Sequence, residues 1–142
     1  MSEVLTEHHK ACDEAWALAE ERAGEGRWDE AGVQLKAFTA AMARHLSTEE
    51  TVLFPAFEAA TGIRGGPTLV MRFEHDQLRQ LFGELAAALA AKDGAGFAGA
   101  GETMLVLMQQ HNTKEEHMLY PACERALGSD AALLERVAAG LK

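Results

Sequence analysis

The chain has 142 residues, 48% of them apolar, and 13 Lys and Arg stand against 22 Asp and Glu for a formal net charge of −9. That length suits a single domain spanning 1–142, and a negative field of this size argues against nucleic acid or an anionic membrane as partner while attracting cations. No apolar run approaches the roughly 20 residues of a membrane span, and no signal-peptide core opens the chain, so a cytoplasmic protein is expected.

Abundant Ala and few aromatic residues favour helix over strand. Ser2 can cap a first helix running to about Gly24, with Leu5, His9, Cys12, Trp16 and Ala19 spaced by three and four along its inner face. A second helix is expected from Asp29, with an inner stripe of Leu35, Phe38, Met42, His45, Glu49 and Val52. Pro55 lacks a backbone donor and predicts a kink or break before Gly62. Pro67 suits the first position of a third helix carrying Val70 or Met71, His75, Leu78, Phe82, Leu85 and Leu89. A loop over 92–96 precedes a fourth helix from about Phe97, with Met104, Met108, His111, Glu115, Met118 and Ala122 on one face. Asp130 caps a short terminal segment from Ala131 to Leu141. Four long helices with short connections predict an all-α, up-down-up-down four-helix bundle with a short C-terminal helix. Cys12 and Cys123 are too few and too far apart for a disulfide framework, and two reduced thiols are expected.

One stretch occurs twice. His45-Leu-Ser-Thr-Glu49-Glu50-Thr-Val-Leu53-Phe54-Pro55 and His111-Asn-Thr-Lys-Glu115-Glu116-His117-Met-Leu119-Tyr120-Pro121 both read His-x-x-x-Glu-Glu-x-x-Leu-aromatic-Pro. Residues i and i+4 share one helix face, so each copy sets an imidazole beside a carboxylate. The same spacing between copies pairs His9 with His75, Trp16 with Phe82, Phe38 with Met104 and Met42 with Met108. The chain therefore reads as two copies of one helical hairpin. In the first helix, Glu7-His8 resembles Glu74-His75 and favours His8, whereas the apolar spacing favours His9; the inward residue is taken as His9.

His9, His45, His75 and His111 with Glu49 and Glu115 thus form a candidate metal site of nitrogen and oxygen donors. Six protein ligands exceed one tetrahedral zinc. They suit two transition ions sharing the two carboxylates, with two imidazoles each, a bridging oxo or hydroxo group and an open position. Imidazole suits several metals and shared carboxylates shift the choice toward iron or manganese, so two iron ions are expected. Burying these groups unpaired would cost several kcal/mol, on the order of 2 or more for each polar group. Glu50 and Glu116, about 100° round the helix from the proposed ligands, read as solvent-facing or as acceptors for a His N–H. His117 reads as surface, Tyr120 as packing at the bend like Phe54, and the Met stripe as core filling.

These residues resemble the hemerythrin-like, or HHE cation-binding, domain family over about Leu5 to Ala122. The doubled His-x-x-x-Glu motif differs from the Glu-x-x-His pairs of ferritin-like bundles. The resemblance implies a non-heme di-iron centre with His9, His45, His75 and His111 as terminal ligands and Glu49 and Glu115 as bridges. Oxygen-carrying members have a fifth His from a His-x-x-x-His pair on the third helix; here that partner position holds Met71 or Arg79. Water, Glu74, His8 or Tyr120 can fill the gap. The expected function is reversible or sensing interaction with O2 or NO at the iron pair. The alternatives are a di-iron enzyme that oxidises iron or reduces peroxide or NO, an iron-donating repair protein, and a metal-free interaction module. The expected partner is a small diatomic ligand or peroxide, and no feature sets the oligomeric state.

Overall fold

The computed structural model describes residues 1–142 as helices joined by short connections. Helix α1 (Ser2–Gly24) is followed by α2 (Trp28–Thr48), which runs unbroken through a π turn (Glu49–Leu53) into α3 (Phe54–Thr61). Then come α4 (Pro67–Ala90) and α5 (Gly94–Lys114), the latter continuing through a second π turn (Glu115–Leu119) into α6 (Tyr120–Leu127). Helix α7 (Ala131–Gly140) closes the chain. The result is four long rods and a short last helix, the bundle expected from the sequence. α1 packs along α2 and α4 along α5, and these two hairpins meet through α2 with α4 and α1 with α5. No helix is long and apolar enough to cross a membrane.

Several boundaries differ from the sequence reading. Met1, not Ser2, occupies the first cap, and no side chain caps that end. α2 opens at Trp28, which places Asp29 and Glu30 in the first turn, where carboxylates favour the helix dipole. α5 opens at Gly94 instead of Phe97, because the Asp93 side chain accepts from the Gly96 N–H at 2.9 Å and holds the glycine-rich turn helical. Asp130 caps α7 as expected, accepting from the Leu133 N–H at 3.1 Å. Gly62, at φ +74°, ends α3 in the left-handed conformation that glycine adopts without strain.

The prolines do not break their rods. In each π turn the bond spans five residues: the Phe54 N–H donates to the Glu49 carbonyl, and the Tyr120 N–H to the Glu115 carbonyl. Pro55 then has no N–H for the Glu50 carbonyl, and the Arg72 guanidinium supplies one at 3.2 Å. The wider turn adds a residue before the stripe returns inward. Leu53 and Leu119 are therefore the buried positions, while Val52 is half-buried and Met118 is 69% exposed. The expected Val52 and Met118 assumed an uninterrupted 3.6-residue period.

The core is divided along the rods. One apolar cluster, including Cys12, Trp16, Phe38, Met42, Leu78 and Met108, fills the end nearer the α1–α2 and α4–α5 connections. A second, including Leu5, Leu53, Phe54, Met71, Leu119 and Val137, fills the other end and takes in α7. The buried His and Glu residues occupy the layer between them in all four rods. Within the first cluster, Gly101 lies so close to Trp16 that an added Cβ would come within 2.7 Å of the indole. Gly101→Val should therefore destabilise the fold by about 1–3 kcal/mol. Gly99→Val, with nothing within 4 Å of its position, should shift the urea midpoint far less.

Candidate metal centre

The four rods deliver six side chains to one buried layer. His9 comes from α1, His45 from the end of α2, His75 from α4 and His111 from the end of α5, and all four are buried. Glu49 and Glu115 open the two π turns and are 0% exposed. The Oε1 atom of Glu49 lies 3.5 Å from His45 Nε2 and 3.3 Å from His75 Nε2. Its repeat counterpart, Glu115 Oε1, lies 3.3 Å from His9 Nε2 and 3.1 Å from His111 Nε2. Each carboxylate thus stands between imidazoles of both hairpins, as a duplicated hairpin with an approximate twofold relation requires. Donor atoms of Glu49, His75, His111 and Glu115 all lie within 4.8 Å of one another, as do those of His9, His45 and Glu115.

The outer imidazole nitrogens are held from behind. His9 Nδ1 is 2.7 Å from Glu116 Oε2, His75 Nδ1 is 2.9 Å from Glu50 Oε2, and His111 Nδ1 is 2.8 Å from Glu74 Oε1. A carboxylate accepts only, so it fixes the proton on Nδ1 and leaves the Nε2 lone pair facing the cluster. His45 differs: its Nδ1 lies 2.9 Å from Nδ1 of His8. Arg79, at one of the two positions where a fifth His would stand, holds Glu50 through both oxygens at 2.6 and 2.9 Å. Met71, at the other, is buried in the second apolar cluster. Lys114 pairs with the remaining oxygen of Glu74.

Tyr120 is more than packing. Its side chain is 0% exposed, and its hydroxyl donates to Glu49 Oε2 at 2.7 Å. The same oxygen lies 3.2 Å from Glu115 Oε1 and 3.3 Å from Nε2 of both His9 and His45. Of the three side chains considered for the gap, Glu74 and His8 stand behind His111 and His45, and Tyr120 alone reaches the inner atoms. Its repeat counterpart is Phe54, which stacks on His75 with ring centroids 5.6 Å apart. The two halves of the cluster are therefore not identical. The exchange of Phe54 for Tyr120 between repeats was the one sequence signal for this role. His117 is exposed, as expected, and both cysteines are free, with burial first in pushing their thiols up to about 12.

The electrostatics of the layer call for a cation. Burial, then the Glu115 charge, holds the Glu49 carboxyl well above its ordinary range. Burial also pushes Glu115 up, but the neighbouring Glu49 carboxyl and the His111 imidazole outweigh it and keep that carboxyl well below the ordinary range. Without metal the pair thus shares one proton. Burial, then His9, depresses His45 well below 6.5, leaving it neutral. Burial and then the two carboxylates raise the Tyr120 phenol well above 10, so it keeps its proton. Glu49 Oε1, His75 Nε2, His111 Nε2 and Glu115 Oε2 are buried with no hydrogen-bond partner. Buried carboxylate and imidazole atoms left without partners in so small a volume fit the chemistry of bound metal.

The shared proton has a measurable consequence. Glu49's pKa is raised in the fold, so its contribution to stability is complete below 4.5 and is lost as the pH rises through the folded value. Glu49→Gln places a neutral amide there. The metal-free variant should exceed metal-free wild type in urea midpoint at alkaline pH, with the gap closing toward pH 4.5. Parallel curves over the whole range would count against a proton buried at Glu49.

A helical bundle whose central layer is a buried His and Glu cluster able to bind metal defines a metal-binding helical domain. The family model described as Hemerythrin HHE cation binding domain matches residues 1–123, and the chain belongs to that family. Helix α7 lies beyond the matched stretch. No curated protein and no solved structure matches the chain.

Proposed function

We propose that this chain holds two iron ions in the layer between its two apolar clusters and interacts there with O2 or NO. The observation that carries the reading is the buried group of Glu49, His75, His111 and Glu115, whose donor atoms lie within 4.8 Å of one another and include atoms with no hydrogen-bond partner. His75 and His111 would serve one ion and His9 and His45 the other, with Glu49 and Glu115 common to both. When bound, the iron pair supplies one-electron chemistry and a position open to a small ligand.

The chain's own residues prepare that position. Glu50, Glu74 and Glu116 hold protons on the outer nitrogens of His75, His111 and His9, which keeps the inner lone pairs free. Tyr120 keeps a proton on its hydroxyl beside Glu49, and a protonated phenol is a hydrogen-bond donor for a small polar ligand. Leu53, Leu119, Phe54 and Met71 close the layer on one side and Met42 and Met108 on the other, excluding bulk water. A fully buried donor set of this kind favours diatomic ligands over organic substrates. The reading includes a cytoplasmic setting, in which Cys12 and Cys123 stay reduced.

The deciding measurement is a titration of the anaerobically reduced, iron-loaded chain with O2 and with NO. Binding reversed by lowering the gas pressure supports carriage or sensing. Irreversible oxidation with turnover of added iron or peroxide supports the di-iron enzyme, and transfer of iron to an acceptor supports the repair role. Absence of bound iron after loading would sink all of them.

A further inference from the structure

We infer that His8 makes the two halves of the centre unequal, so that metal fills the His75/His111 half first and the His9/His45 half second and more weakly. The inference rests on the metal reading above. Under the repeat relation, His9 corresponds to His75, His45 to His111, Glu116 to Glu50 and His8 to Glu74. Three outer nitrogens face a carboxylate; only His45 Nδ1 faces an imidazole, at 2.9 Å.

An anionic acceptor polarises the N–H and raises the basicity of the opposite nitrogen, whereas a neutral imidazole does so far less. Lys114 and Arg79 engage Glu74 and Glu50, but each carboxylate keeps an oxygen within 2.9 Å of its imidazole. Nothing anionic replaces the missing carboxylate behind His45. His8 itself contacts Cys12 Sγ at 3.7 Å, where the repeat counterpart is Leu78, and Arg44 is the charged neighbour on α2. The donor geometry is unequal in the same sense. Four residues gather around the His75/His111 half and three around the other.

The test is an anaerobic Fe²⁺ titration of the metal-free full chain against a coloured competing chelator, with total iron measured at each step. Two steps separated by about 10–100-fold in affinity are expected, the range that partners behind metal-ligating histidines command. His8→Gln keeps a neutral acceptor and should keep the separation. His8→Glu restores the carboxylate and should narrow it by about tenfold, by strengthening the second step alone. Glu74→Gln should weaken the first step by a similar factor and carries the test if His8→Glu fails to fold.

Two ions entering in one step, or a separation unmoved by His8→Glu, would each overturn the inference. Equal weakening of both steps in His8→Gln would assign His8 a merely structural role and overturn it too. A chain that binds no iron at all would refute the metal proposal itself, which a one-step titration would leave standing.

Discussion

Glu115→Ala should leave the purified chain almost free of iron. Wild type loaded with iron should retain about two ions per chain, as expected for six nitrogen and oxygen donors divided between two ions. Glu115 is the residue common to both candidate donor groups, and its Oε1 lies 3.3 Å from His9 Nε2 and 3.1 Å from His111 Nε2. Its loss removes an oxygen from both halves at once. Residues that merely stand behind metal ligands are worth about 10–100-fold in affinity, so a shared carboxylate should be worth at least about 100-fold. Glu49→Ala should behave alike, since Glu49 Oε1 stands between His45 and His75. Iron analysis of both variants, with circular dichroism to verify the helical fold, gives the result. If only one of the two substitutions lowers iron content, the carboxylates are not equivalent bridges.

Iron loading should also raise the melting temperature by about 10–20 °C. At a free metal concentration of 100 times Kd, each site adds about 2.7 kcal/mol, hence about 5 kcal/mol for two. A chain of this size shifts by roughly 2–4 °C per kcal/mol. The metal-free fold leaves buried His and Glu atoms without hydrogen-bond partners and sets two carboxyls side by side out of water, costs that a cation offsets. A chelator should reverse the shift. A melting temperature that stays within about 2 °C while analysis shows iron bound would mean that the layer gains nothing from its metal.

Much of this was legible because helical periodicity is a local property. His45 and Glu49, or His111 and Glu115, share a face whatever surrounds them, and the spacing from His9 to Cys12 and Trp16 selects the inward imidazole of α1. The reading failed where the period itself changes. Past Glu49 and Glu115 the turn widens to five residues, and Leu53 and Leu119 replace the expected Val52 and Met118. The signal was present in Pro55 and Pro121, residues unable to donate, but a proline alone does not distinguish a break from a π turn. Helix α5 starts before the position its sequence predicts for a similar reason: glycine at 94 and 96 argues against helix, and the Asp93 carboxylate accepting from the Gly96 N–H offsets it.

By itself, then, the sequence determined the rods, their repeat, the inward imidazoles and the two carboxylates, because each follows from residue type and spacing along a single helix. Only the tertiary structure decided what each imidazole leans on. Glu116 reaches His9 from 107 positions away and His8 reaches His45 from 37. Tyr120 meets Glu49 across 71. These partners come from different rods, and their meeting depends on the rotation of each rod about its axis and on the extra residue in each π turn. Neither quantity is encoded within the span of one helix.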